Sequence, residues 1–436
     1  MANKKWNKIP LKKLCSRIGD GLHGTPEYVF DSEIYFINGN NLKNGRIEIT
    51  SDTKRVTASE LSKNFIPLNE NSLLLSINGT LGSMAFYNGE KVMLGKSAAY
   101  LNFNSNINQF YYYYFQLKGV QEYFYNVATG STIKNLSLKS IQDFEVPVPE
   151  ESDRNGIVRI LKSLDAKIEL NNKINRELES MAKTLYDYWF VQFDFPDANG
   201  KPYKSSGGKM VYNAELKREI PEGWEVGNLK NNSLTDLIKP KIDFFEGEKT
   251  YLATADVVNN EINFDADKIT FENRESRANM QPIKNSVWFA KMKNSKKVLC
   301  VGEYSNYYLL NFILSTGFAG LKCKEKHFVE YIWGFVNNDD FEKIKDRLSN
   351  GATQEAINND SMAYIPLIVP KGNILKKYHK MTIKIFKKIY LNKIENQQLT
   401  ELRDWLLPML MNGQVTVKEA EEKLSMAAEP SEKYGN

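Results

Sequence analysis

The sequence predicts an α+β chain: two mixed α/β domains separated by two long antiparallel helices that pack as a coiled coil, related by an internal pseudo-two-fold repeat. Three observations predict it. Gly130-Ser-Thr-Ile-Lys-Asn-Leu-Ser, leading to Val146-Pro-Val-Pro149, is matched 221 positions later by Gly351-Ala-Thr-Gln-Glu-Ala-Ile-Asn, leading to Leu367-Ile-Val-Pro370. The same offset continues without a gap, so Ile168, Leu170, Asn171, Asn175 and Leu178 pair with Ile389, Leu391, Asn392, Asn396 and Leu399. Such a constant offset marks a repeated unit. Finally, each half closes on a long amphipathic stretch, and what precedes it is short, β-prone and punctuated by turns.

The first domain is placed at residues 1–150. Its strands are read from Tyr28-Val-Phe, Ile34-Tyr-Phe-Ile and Leu73-Leu-Leu-Ser-Ile, set between Gly- and Asn-rich turns. A helix is expected over Asn108–Phe124. Its run Phe110-Tyr-Tyr-Tyr-Tyr-Phe115 has two readings, a base-stacking platform or core with a wet rim, and helical aromatics favour the core. The first long helix is placed at 151–193, because Ile157, Leu161, Leu164, Ile168, Leu178, Met181 and Leu185 recur at three- and four-residue steps. Ser152 or Asp153 can cap its start. A Gly/Pro/Ser-rich connector covers 194–222.

The second domain is placed at 223–372, and the second long helix at 373–411, on Tyr378, Met381, Ile385, Ile389, Leu399, Leu402 and Leu406. Pro408 is expected to slow or stop it. An acidic C-terminal tail, 412–436, carries Glu419, Glu421, Glu422, Glu429 and Glu432 and reads as a short helix and a frayed end. Soluble helices that long need a partner, and each supplies the other. Asn171 and Asn392 fall on the apolar seams at repeat-equivalent positions, either as partly exposed amides or as residues that fix helix register.

Composition excludes several classes. Hydrophobic residues make up 42% and charged residues 25%, the balance of a folded globular chain, with 58 Lys and Arg against 53 Asp and Glu giving a net charge of +5. That excess permits nucleic acid without demanding it. No membrane partner is expected, because no run reaches the roughly 18 apolar residues of a span. No secretory signal is read at the start. Cys15, Cys300 and Cys323 have no CxxC spacing, so with three His residues no metal site is expected, and the thiols point to a reduced, cytoplasmic location.

Enzyme signals fail on spacing or context. Gly89-Glu-Lys-Val-Met-Leu-Gly95-Lys-Ser has five residues between its glycines where a phosphate loop needs four. No GxGxxG opens a βαβ unit, so neither S-adenosylmethionine nor ATP is expected on this chain. Pro196-Asp197 with Glu215-Leu-Lys217 fits the PD-(D/E)xK nuclease expression, in which carboxylates hold magnesium. Those residues belong on adjacent core strands, whereas Gly200, Pro202 and Gly207-Gly208 lie between them. Catalytic residues: none. A nuclease and a DNA-free interaction scaffold remain the alternatives to a recognition protein.

Four further stretches carry a family resemblance: Gly21-Leu-His-Gly-Thr-Pro26, Ser76-Ile-Asn-Gly-Thr-Leu-Gly82, the Gly130–Leu136 segment, and the connector from Trp189-Phe-Val-Gln-Phe-Asp-Phe to Ile220-Pro-Glu-Gly-Trp224. Over nearly its full length the chain resembles the DNA-specificity subunit of type I restriction-modification enzymes. The second half departs from the pattern: Gln354 and Glu355 replace the Ile-Lys of the first copy. The resemblance implies two target-recognition domains, each reading half of a split double-stranded DNA site. It further implies helices that space the domains and dock two methyltransferase subunits, with separate restriction/translocase subunits. S-adenosylmethionine, ATP and magnesium would sit on those partners, leaving this chain with no cofactor of its own and a part in defence against phage.

Base edges are read by Arg, Lys, Asn, Gln, Ser and Thr on loops that reach the groove, and phosphates take Lys, Arg and amides. In the first domain the candidates are His23, Thr25, Asn38, Asn40, Asn41, Lys43, Asn78, Thr80, Lys96, Ser97, Ser131, Thr132, Lys134 and Asn135. In the second they are Arg274, Arg277, Asn279, Lys291, Lys293, Lys296 and Lys297. The second helix adds lysines at 376, 377, 380, 384, 387, 388 and 393 with no acid among them. That run reads as a solvated face, a phosphate contact, or a seat for an acidic partner.

Overall fold

The computed structural model describes residues 6–351 and 355–428. Met1–Lys5, Gln354 with its two preceding residues, Glu429 and Glu432 lie outside them. The chain forms two compact units. The first comprises the chain up to Ala166 together with the stretch from Leu399, and the second comprises Lys167–Gln398.

Both units repeat one topology. In the first, an antiparallel sheet runs in the order Cys15–Asp20, Ala98–Phe103, Ser72–Ser76, Met84–Phe86. In the second, Thr235–Ile238, Phe318–Cys323, Ser286–Ala290 and Val298–Val301 take the same order. Each unit adds a second four-stranded sheet around one parallel pair, Tyr35–Ile37 with Val92–Leu94 and Lys249–Leu252 with Phe312–Ser315. A two-stranded ribbon closes each: Lys8–Pro10 on Glu145–Pro147, and Glu225–Asn228 on Pro366–Val369.

The central strands explain their own apolar runs. All five residues of Ser72–Ser76 and of Ser286–Ala290 are buried. Leu73 and Leu75 enter the cluster under the helices, while Leu74 points to the cluster under the second sheet. Val287 and Phe289 divide from Trp288 and Ala290 in the same way. A strand covered on both faces loses the polar alternation of a half-exposed one. The aromatic run is core: Phe110, Tyr111, Tyr113, Tyr114 and Phe115 are all buried. Tyr111 donates to the Pro147 carbonyl at 2.9 Å and so ties the run to the ribbon.

The long helices are Glu151–Tyr186 and Ile374–Met411, of 36 and 38 residues, or about 54 and 57 Å at 1.5 Å per residue. Glu151 and Asp153 in the first turn complement the helix dipole. A single π turn, Asp187–Val191, ends the first helix and buries Trp189 and Phe190. Pro408 does not stop the second, which runs on to Met411. A proline one turn from a C-terminus forfeits only one of the ladder bonds, and Leu406, Leu407, Leu410 and Met411 bury the last turn.

Within each unit the helices pair antiparallel. In the first, Arg403 Nη1 meets Asp165 Oδ1 at 3.0 Å. In the second, Asn171 Nδ2 donates to Asn396 Oδ1 at 3.0 Å and Asn392 Nδ2 to Asn175 Oδ1 at 2.8 Å. The 221-residue offset converts Asn171 into Asn392 and Asn175 into Asn396, so it exchanges these two bonds. A local two-fold therefore passes through this asparagine layer. Asn171 and Asn392 do not bond each other. Each bonds the mate of the other one helical turn away, because an antiparallel pair places residue i opposite the symmetry mate of i+4.

Candidate nucleic-acid interface

In the first unit the polar loops converge at one end of the central sheet. The 76–82 turn follows strand Ser72–Ser76, with Gly79 and Gly82 at φ of 71° and 85°, where a side chain is strained. Ser76 Oγ holds the turn through the Asn78 carbonyl at 3.1 Å and Thr80 Oγ1 at 3.0 Å. The 129–136 loop docks beside it through an Asn78–Asn135 bridge and the Leu136 N–H to the Ile77 carbonyl at 2.8 Å. Together with Asp20 and His23, beyond strand Cys15–Asp20, and with Lys96 these loops line a cleft of about 570 Å3.

Four of the residues expected from sequence, His23, Asn78, Lys96 and Asn135, are thus brought together. Thr25, Asn40, Ser131 and Thr132 are exposed, and Lys134 lies 5.1 Å over the Tyr125 ring. Three others are occupied inside the fold. Ser97 Oγ accepts from the Gly39 N–H at 2.9 Å and donates to Asn38 Oδ1 at 2.8 Å. Asn41 Oδ1 accepts from the Asn38 N–H at 2.9 Å and its amide reaches the Glu48 carbonyl. They brace the 38–41 turn, and Lys43 is held by Glu48.

The sequence reading missed Asp20, whose Oδ2 lies 2.8 Å from His23 Nε2. It leaves the His23 ring 73% exposed at a fixed angle, with Nδ1 free of that contact. The signal was the three-residue spacing from Asp20 to His23. In a groove a carboxylate can accept from cytosine N4. Ile133, 65% exposed on the cleft wall, was also missed.

The second unit places its candidates at two spots. Arg274, Arg277 and Asn279 lie at the edge strand Ala278–Met280, with the Arg274 guanidinium 4.3 Å over the Phe271 ring. Lys291, Lys293, Lys296 and Lys297 fill the turn between Ser286–Ala290 and Val298–Val301. That turn is equivalent to the 76–82 turn, since a Met292–Ala356 bridge stands where the first unit has Asn78–Asn135. Three of its lysines have protein partners: Lys293 with Glu355 at 2.6 Å, Lys296 with Asp339 at 2.7 Å, and Lys297 with the Thr254 carbonyl. Lys291 differs, its pKa lowered by burial and by the positive charge of Lys239. Strand register puts Lys239 where the first unit has Asp20. Among the described residues neither lysine has an ion pair, and neighbouring cations favour an anion between them.

The nuclease-like residues do not assemble. Asp197 Oδ1 accepts from the Asn199 and Lys201 N–H groups at 2.7 and 2.9 Å and closes a turn. Glu215 and Lys217 lie in the turn of the Met210–Asn213/Arg218–Pro221 hairpin. No group of three or more metal-ligating acids, His or Cys occurs among the described residues. No described helix is long and apolar enough to cross a membrane. Changing Asp197, Glu215 and Lys217 together to Ala is expected to leave DNA affinity within about twofold in a filter-binding titration, the range expected of surface changes.

Residues 3–180 match the family described as the type I restriction modification DNA specificity domain. The type I restriction enzyme MjaIX specificity subunit of Methanocaldococcus jannaschii is 26% identical over 317 residues, 72% of this chain and 70% of that one. The HindI specificity subunit of Haemophilus influenzae is 24% identical over 365 residues, 67% of this chain and 74% of its own. In fold, the type I restriction-modification S subunit of M. genitalium superposes with a TM-score of 0.56 at 16% identity, covering 93% of this chain and 96% of that one.

Proposed function

We propose, from the premise that residues 3–180 belong to the type I restriction modification DNA specificity family, that the chain is a non-catalytic, cytoplasmic DNA-recognition subunit. It reads a bipartite double-stranded site, one half per unit, and docks two methyltransferase subunits and restriction/translocase subunits on its helical frame. One observation carries this reading: the frame repeats while the reading positions do not. Asp20, Asn78 and Asn135 of the first unit correspond to Lys239, Met292 and Ala356 of the second. Equal frames suit equal partners, and unequal clefts suit two different half-sites.

In the first unit, Asn78, Asn135 and the Asp20-braced His23 supply donors and acceptors for base edges, and Lys96 supplies a phosphate contact. In the second, Lys291 and Lys239 seat a phosphate, and Arg277 and Asn279 face outward for base or backbone. Lys291→Ala is expected to weaken binding to specific and non-specific duplexes alike, and to reduce the salt slope of log K by about 0.9. Because the pKa of Lys291 is lowered, its charge and its share of affinity are lost as pH rises, earlier than for an ordinary lysine. Lys291→Arg is expected to keep affinity flat over that alkaline range. Fluorescence-anisotropy titrations at several salt concentrations and pH values measure both. An unchanged slope in the Ala variant removes Lys291 from the interface.

A further inference from the structure

The repeat also shows where one unit is covered and the other is bare. In the first unit the C-terminal helix, Val417–Ala428, lies on the two long helices. Val417 methyls stand 2.8 Å from where a Cβ on Gly156 would be, and Glu421 pairs with Arg159. Ala420 is fully buried, Leu424 packs on the same cluster, and Lys423 lies 4.2 Å over the Trp405 ring. One turn on from Gly156, Ile160 is 2% exposed in that same cluster, and Leu402 is partly buried against it.

The 221-residue offset carries Gly156, Arg159, Ile160 and Leu402 to Lys377, Lys380, Met381 and Met181 of the second unit. There nothing among the described residues covers them. Met181 and Met381 are 46% and 50% exposed. Lys376, Lys377, Lys380, Lys384, Lys387 and Lys388 are all exposed and make no ion pair among the described residues. At about 100° per residue, the six lie within roughly a third of the helix circumference and along about 18 Å of its length. Exposed methionines on a lysine-rich helix pair make an amphipathic surface. Six solvated like charges on so small a face are mutually destabilising until an opposite charge arrives.

We infer that this face docks an acidic amphipathic helix of a partner chain, seated as Val417–Ala428 is seated in the first unit. The internal copy supplies the mode: small and apolar residues on the methionines, with carboxylates toward the lysines. The lysines make the second seat more demanding of acid than the first, where Arg159 alone answers Glu421. The methionines favour a helix over a phosphate backbone, which offers nothing apolar to cover them. Because the first unit's equivalent face is already filled, the site occurs once per chain. Its occupant is therefore distinct from any partner that binds both repeats alike.

A labelled peptide of residues 415–428 carrying Lys418→Glu and Lys423→Glu tests this on the full-length protein. Saturable binding of one peptide per chain is expected, weakened at least tenfold by Lys377→Glu/Lys380→Glu/Lys384→Glu. Met381→Glu, which leaves the lysines in place, is expected to weaken it comparably, and so is a peptide with Glu419, Glu421 and Glu422 changed to Gln. Circular dichroism melts check that the exposed substitutions leave the fold intact. Absent or non-saturable binding, equal binding by the triple variant, or complete displacement by a duplex lacking any recognition site would overturn the inference. Self-association of the chain through this face, read by sedimentation and lost in the triple variant, would overturn it too.

Discussion

Exchanging residues 1–150 for the equivalent part of a family member with a different target is expected to rewrite one half of the methylated site and leave the other unchanged. Methylation at the original sites is then expected to fall to background, a loss of several orders of magnitude. The physical ground is that one mismatched base pair costs roughly 1–3 kcal/mol, so losing a whole half-site removes much of the roughly 4–10 kcal/mol between specific and non-specific binding. The graft is structurally reasonable: the first central sheet and its ribbon are complete before Glu151. The substitute must still bury Ile157, Ile160, Leu161 and Leu164 against its own core. Sequencing-based methylation maps of cells carrying either chain read the result. A swap that altered both halves would show that the units do not read independently.

The second large effect lies in the asparagine layer. Asn392→Asp removes the Nδ2 donor and sets a carboxylate oxygen where the Asn175 oxygen stood 2.8 Å away, at a residue with no exposed surface. A buried charge facing an acceptor is among the costliest single changes, about 3–5 kcal/mol. The melting temperature is expected to fall by roughly 10 °C. Asn175→Leu with Asn392→Leu replaces both partners with apolar groups and is expected to hold stability within about 1–2 kcal/mol while weakening the choice of register. Calorimetry separates the two, and a stable Asp variant would mean that water reaches the layer.

That layer also shows how much the sequence revealed. The 221-residue offset, the two helices and the seam positions of Asn171 and Asn392 were all readable, because helical periodicity and repeats are local signals. Their partners were not. The antiparallel direction was expected, but pairing also needs the stagger, which places Asn396 opposite Asn171 and Asn175 opposite Asn392. The central strands were legible as apolar runs, but not the parallel pairing of Tyr35–Ile37 with Val92–Leu94, which joins residues far apart in sequence.

The site divided along the same line. Residue type found His23, Asn78, Lys96 and Asn135, which share a cleft. It also selected Asn38, Asn41 and Ser97, which spend their polar groups bracing a turn. Nothing in residue type separates an amide that reads from one that caps. Asp20 escaped because its use depends on where strand Cys15–Asp20 ends beside the 129–136 loop. Whether Pro408 would slow or stop the helix was likewise open, since its cost depends on how the last helical turn is buried.

The central claim is that one chain with a repeated frame and two unlike clefts specifies one split DNA site. Mapping methylated bases genome-wide, in cells with and without this chain beside the proposed methyltransferase subunits, tests it most directly. The account predicts a motif of two dissimilar specified blocks separated by an unspecified gap, present only with the chain and lost on its deletion. A methylation pattern unchanged by the deletion, or a single continuous motif, would contradict it.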